Sequence, residues 1–221
     1  AAKVKEQILK VGAEMLHKKI DELDVFDSCV VVLDGSCKVS FKDIVHYSLY
    51  ESNQFQIAVV ESHITHKSPP PFTAHFVEVE VDMETGKVKV LKYVAAVDCG
   101  TAINPQLSEG QTEGAVLNGI CYALTEEYRF DDNGKMINPS FATYSIYSLR
   151  DKPEIKTILV PSYEETGPFG AKSVSEISIN GGMPAIANAI YNATGARLYK
   201  APFTQERVWR AIQKSNRLKS I

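Results

Sequence analysis

The stretch FTAHFVEVEVDMETGKVKVLKYVAAV, Phe72–Val97, decides the fold. Two runs rich in Val, Phe and Tyr flank the turn Met83-Glu84-Thr85-Gly86. Residues alternate between apolar and charged along each run, the period of a strand with one face buried and one wet. The pattern predicts an antiparallel hairpin, with apolar Phe76, Val77, Val79 and Val81 set against charged Glu78, Glu80 and Asp82. Upstream, HKSPPP (His66–Pro71) cannot continue a helix or a central strand, because consecutive prolines remove N–H donors and fix φ. It reads as a boundary.

Before that boundary, Val4, Ile8, Val11 and Met15 recur at helical spacing with Leu16 and Ile20 alongside, and lysines and glutamates fill the remaining positions. An amphipathic helix over residues 1–20 follows. Ser28–Leu33 and Cys37–Phe41 surround Asp34-Gly35 and predict a small hairpin, with a short helix over Lys42–Tyr50 after it. Beyond Val97, Asn104-Pro105 places a capping side chain and a first-turn proline at the start of a helix running to about Ala123. Gly110, Gly114 and Gly119 would each weaken that helix by about 1 kcal/mol relative to Ala unless something packs closely against it. Strands are expected at Glu126–Phe130, Met136–Asn138 and Ile155–Val160, with a turn at Asp131–Gly134. A helix opening at Pro184 and ending at Gly195 comes next, then one capped by Thr204 that runs to about Lys214. Helices and antiparallel or mixed strands together give an α+β fold. Two lobes are expected, residues 1–60 and 61–221.

The 221 residues are 44% hydrophobic and 23% charged with a net charge of −3. That composition supports a packed core and offers no electrostatic attraction for nucleic acid or an anionic membrane surface. No apolar run is long enough to span a bilayer, and AAKVKEQILK lacks a signal peptide's apolar centre, so a cytoplasmic protein is expected. Ala1 opens directly into a helical pattern, which reads as a piece of something longer. Cys29, Cys37, Cys99 and Cys121 are scattered, with no CxxC pair, and read as reduced structural thiols. His63, His66 and His75 have no Cys or carboxylate at zinc-site spacing. No Gly-x-Gly-x-x-Gly follows a strand, so neither NAD nor FAD is expected to bind this chain.

Gly167–Glu176, GPFGAKSVSE, has the composition of a tight loop whose backbone approaches a ligand closely and delivers one carboxylate. Flanked by apolar Val174 and Ile177, Glu176 is a candidate for desolvation and hence for general base, and equally for a carboxylate capping the next segment. Lys172-Ser173 does not complete a phosphate loop, because Ala171 and Thr166 stand where that motif needs glycines.

The series AVDCGTAINPQLSEGQTEGAVLNGICYALTEE (Ala96–Glu127), NPSFATYSIYSLRDKPEI (Asn138–Ile155) and GPFGAKSVSEISINGGMPAIANAI (Gly167–Ile190) resembles, in order, the molybdenum hydroxylase family of xanthine dehydrogenase and aldehyde oxidase. The match is to the C-terminal half of its molybdopterin-binding subunit, over roughly residues 60–195. The resemblance implies that Glu176 is the catalytic base, deprotonating water or hydroxide at the molybdenum so that oxygen enters an electron-poor carbon of a heterocycle or aldehyde. It places the backbone of Lys172, Ser173, Val174 and Ser175 against the cofactor, and Asn118 where many members carry a cofactor-side glutamine. The resemblance further implies a molybdenum-molybdopterin shared with an upstream half, and iron–sulfur (2Fe-2S) and FAD domains or subunits elsewhere. The substrate would be a small molecule, and a homo-oligomer is compatible with this picture. Glu109, Gln111 and Glu113 read as a solvated or structural set. The glycines of the 105–123 helix and the Gly167–Glu176 loop are expected to face the upstream half across exposed apolar surface. Where the family loop usually ends Gly-x-Gly-Glu, this chain has Ser173-Val174-Ser175-Glu176, and a side chain at Ser175 is expected to restrict φ or narrow the approach. A non-catalytic assembly module derived from the family is the alternative reading.

Overall fold

The computed structural model describes residues 1–51, 54–62, 64 and 66–219; His63, weighed above as a zinc ligand, lies outside the described residues. The chain forms two compact units, Ala1–Ile64 and Thr65–Ile221.

In the first unit, helix α1 (Ala2–Leu16) packs on a three-stranded antiparallel sheet of β1 (Leu23–Phe26), β2 (Cys29–Val32) and β3 (Lys38–Ser40). The second and third strands are the expected hairpin, and β1 is an addition to it. Val11, Leu23, Val30, Val32 and Ile44 form the core, the last from the short helix α2 (Phe41–His46), which Ser40 caps through the Asp43 N–H.

The second unit is built on a mixed sheet. β4 (Phe72–Val81) and β5 (Val88–Asp98) pair antiparallel, and β6 (Glu154–Leu159) joins β5 in parallel. Its hairpin turn is closed by Gly86, at φ +75°. Register slips between Glu78 and Val79: Glu78 faces Lys92 whereas Val79 faces Val90, so Leu91 is an extra residue bulged out of β5. A bulge reverses which parity points inward. Val90 is buried before it, and Tyr93, Ala95 and Val97 after it. On β4 the inward positions are Val77, Val79 and Val81; Phe76 lies instead on the wet face with Glu78 and Glu80, because its parity is theirs.

A parallel connection needs a crossover, supplied by α3 (Pro105–Leu124) and the irregular segment after it. Asn104 accepts a hydrogen bond from the Leu107 N–H at the head of α3, as a cap should. Glu126–Phe130 and Met136–Asn138 are not strands; a single bridge joins Phe130 and Met136. The buried side chain of Asn138 does the work of a ladder there, donating to the Glu127 carbonyl at 2.7 Å and accepting from the Arg129 N–H at 2.9 Å. Helices α4 (Ser175–Asn180), α5 (Gly182–Thr194) and α6 (Gln205–Lys219) complete the unit. Val116, Ile120, Ile186, Ile190, Val208 and Ile212 seal the inner face of the sheet. Among the described residues no helix is long and apolar enough to cross a membrane.

Candidate functional site

The chain leaves β5 through Asp98-Cys99-Gly100, and the Gly167–Glu176 segment returns alongside it. The Thr101 N–H donates to the Gly170 carbonyl at 2.8 Å and the Lys172 N–H to the Cys99 carbonyl at 2.7 Å, with a bridge between Gly100 and Ala171. Gly170 turns at φ +81°, and a Cβ there would meet Tyr163 and Thr101. Strand exit and loop are therefore one small ladder, not a free loop.

An ion pair locks this ladder. Lys172 Nζ lies 2.6 Å from Asp98 Oδ2, with side chains only 7% and 20% exposed. The Ser162 hydroxyl donates to Asp98 at 2.5 Å and the Gly100 N–H at 3.0 Å, while Lys172 also sits 5.4 Å over the Phe72 ring. Desolvation is the largest single influence on Asp98 and would raise its pKa. The hydrogen bonds from Lys172, Ser162 and Gly100 together outweigh it and hold the carboxyl at about 2. Nothing in the sequence announced Asp98, which stands 74 residues from its partner. Lys172, whose backbone is expected against the cofactor, has its ammonium and its N–H engaged inside the fold.

After the ladder, Val174 and Ile177 turn inward and pack on the main core. Their direction dictates that of Glu176, which falls between them in the first turn of α4 and is exposed. The burial expected of it is thus absent within this chain: its apolar neighbours in sequence point away from it. Its side chain has no hydrogen-bond or ion-pair partner among the described residues. Ser173 is exposed too, in a cleft shared with His66, Lys67, Thr166 and Pro168.

Ser175 is helical, not left-handed, so the expected restriction of φ does not arise. Its hydroxyl donates to Gln111 Oε1 on α3 at 3.1 Å, which gives Gln111 a structural use. Glu113 pairs with Lys152 at 3.0 Å, and Glu109 is exposed. Gln111, Val174, Lys172, Cys99 and Ser108 line a cleft of ≈ 330 Å³ between the loop and the head of α3. Burial pushes the Cys99 thiol above its usual range, so it is a poor nucleophile there.

Asn118 lies two turns along α3 from Gln111 and is exposed, with no side-chain hydrogen bond among the described residues. Its face of α3 carries Leu107, Gly110, Gly114 and Tyr122, all exposed. A Cβ at Gly110 or Gly114 would meet nothing within 4 Å. Gly119 alone makes the close approach that the sequence demanded: its Cβ would lie 2.8 Å from the Ile179 carbonyl and 3.1 Å from Gly182 Cα. That contact seats the α4–α5 junction on α3.

Among the described residues no group of three His, Cys, Asp or Glu is placed to hold a metal. Exposed Ser173 and Asn118 offer hydroxyl and amide groups, and Glu176 an unpaired carboxylate, donor types that suit a polar organic group.

Residues 1–153 match the family model described as "Molybdopterin cofactor-binding domain". The chain is 37% identical to the probable hypoxanthine oxidase XdhD of Escherichia coli (strain K12), over 97% of its own length and 22% of that protein's. Identity to the carbon monoxide dehydrogenase large chain of Afipia carboxidovorans is 29%, over 95% of this chain and 27% of that one. The fold superposes on the reconstituted CO dehydrogenase from Oligotropha carboxidovorans with a TM-score of 0.70 at 26% identity, covering 98% of this chain and 28% of the other. The chain thus spans roughly a quarter of the length of the relatives it matches.

Proposed function

This chain belongs to the molybdopterin cofactor-binding domain family of the molybdenum hydroxylases, and from that premise we propose that it forms part of an oxidoreductase in which Glu176 is the general base. The observation that carries the proposal is an exposed, unpaired carboxylate on a segment that is otherwise anchored at every step. Asp98–Lys172 fixes the approach, Val174 and Ile177 fix the direction, and Ser175–Gln111 fixes the first turn of α4. A catalytic group held this way loses little entropy on reaction.

When bound, the molybdenum-molybdopterin supplies the two-electron redox chemistry. The chain's own contribution is proton handling and positioning. A Glu176 oxygen takes the proton of the water that serves as oxygen source, while Ser173 and Asn118 offer hydroxyl and amide donors to the polar edge of the cofactor, with the backbone of Lys172–Ser175 alongside it. A purine-like heterocycle or an aldehyde is the proposed substrate class, and the relative named for hypoxanthine oxidation supports the former. Sharing of the cofactor with an upstream half, and onward electron transfer to 2Fe-2S and FAD domains or subunits, belong to the same proposal. The words "large chain" and "complex subunit gamma" in the names of two relatives support partner subunits.

The test is Glu176→Gln in the full-length parent protein. General-base catalysis contributes typically about 10²–10⁴-fold, so turnover should fall by that order with molybdenum content retained. Unchanged turnover would remove Glu176 from the role.

A further inference from the structure

We propose that His75 is a positioning residue that sets helix α4, and through it the Glu176 carboxylate; this rests on the reading of Glu176 as base. His75 sits on the inner face of β4, beneath the α4–α5 junction. Its ring nitrogens lie 2.7 Å from Thr73 Oγ1 and 3.0 Å from the Tyr93 hydroxyl, and its plane meets the Tyr93 ring edge-on at 5.7 Å. Hydroxyls both donate and accept, so this pair suits a neutral imidazole in either tautomer. Burial works in the same direction, lowering the His75 pKa against an opposing interaction with the Ile177 backbone. Tyr93 is fully buried, so the orientation of the ring is set from the core outward.

That ring lies against Gly181 at the end of α4, where any Cβ would overlap it, and the backbone of Ile177, the residue after Glu176, acts on its charge. Gly181 has φ −77° and ψ −18°, a conformation every residue adopts; the imidazole, not the backbone, is what demands a glycine there. Helix α4 has only 6 residues, too few to hold itself, so its position is the sum of what it packs on. His75 supplies the floor, and the Ser175–Gln111 bond supplies the side. Among the described residues His75 belongs to no group of three His, Cys, Asp or Glu placed to hold a metal.

Four variants of the full-length protein test this: His75→Ala, Gly181→Ala, the pair and His75→Gln, with Phe76→Ala on the opposite face of β4 as control. The readouts are amide hydrogen exchange over Ile177–Gly181, kcat and KM separately, and molybdenum content. Misplacing a catalytic group by about 1 Å costs roughly 100-fold. Each single variant should therefore speed exchange in α4 and lower kcat by roughly 10- to 100-fold, with KM and molybdenum little changed. Removing the ring makes room for the new methyl, so the pair should be less impaired than the product of the two singles. His75→Gln, which restores a hydrogen-bonding side chain, should recover part of the loss. Exchange and kcat of His75→Ala matching the Phe76→Ala control would overturn the proposal, as would strict multiplicativity of the pair. If Glu176→Gln keeps full turnover while His75→Ala still loosens α4, the base assignment fails and the seating of α4 by His75 stands.

Discussion

The Asp98–Lys172 pair gives the sharpest quantitative expectation. An Asp carboxyl brought from 3.8 down to about 2 corresponds to about 2 kcal/mol of stabilisation of the ionised form. Because the folded pKa is depressed, that contribution is complete above the unfolded value near 3.8 and disappears as pH falls through about 2. At neutral pH the pair is fully formed. Removing one partner of a buried pair strands the other, which costs roughly 3–5 kcal/mol when burial is complete. Lys172→Met leaves Asp98 20% exposed and still holding Ser162 and Gly100, so the cost should fall to about 2 kcal/mol. Asp98→Ala strands an ammonium that is only 7% exposed and should cost about 3 kcal/mol or more. Local opening of the ladder is the step that feels this. About 2 kcal/mol corresponds to roughly 30-fold faster exchange of the Thr101 and Lys172 amides, which close it. Hydrogen exchange of the full-length protein, wild type and variants, between pH 4 and 7 is the assay. If Lys172→Met exchanges these amides at the wild-type rate, or if the Lys172→Met/Asp98→Asn pair shows no coupling, the ion pair does not hold the loop.

Four further outcomes follow from packing and local hydrogen bonding. Gly119→Ala should destabilise by about 1–3 kcal/mol in urea denaturation, since its methyl meets backbone, whereas Gly114→Ala should stabilise the isolated chain by up to about 1 kcal/mol because nothing opposes it. Asn138→Ala should cost about 1–3 kcal/mol, leaving the Arg129 N–H and the Glu127 carbonyl unpaired, and limited proteolysis within residues 126–140 should report it. Ser175→Gly should speed exchange at the head of α4 without raising turnover, because Ser175 is already helical and its hydroxyl is spent on Gln111.

Where local chemistry determined structure, the sequence was legible. The Met83–Gly86 turn between alternating runs specifies β4–β5, and Asn104-Pro105 specifies the start of α3, because each signal is contained within a few residues. The Leu91 bulge was hidden, since Tyr93–Val97 after it is apolar at both parities and shows no change of phase. Glu126–Phe130 looked like a strand because aromatics favour strands, but a side-chain clasp from Asn138 replaces a ladder there. At the site, the sequence marked Glu176 through its loop and through a family likeness. It could not show that Lys172 points inward to Asp98, nor that a histidine on the hairpin reaches under α4. Those facts depend on which way a side chain turns after the core has formed.

The exposure of Glu176 is itself informative about the division of labour. A general base at a redox centre needs a desolvated carboxylate, yet this chain spends its apolar residues Val174 and Ile177 on its own core and leaves Glu176 in solvent. Ile103, Leu107 and Tyr122 are exposed as well, at 63%, 67% and 47%, beside glycines with open space in front of them. Covering such a face recovers roughly 25 cal/mol for each Å² of apolar surface buried. On the proposed function, a cover that extends from this face over α4 would enclose the Glu176 carboxylate as it docks, so docking and completion of the site would be one event.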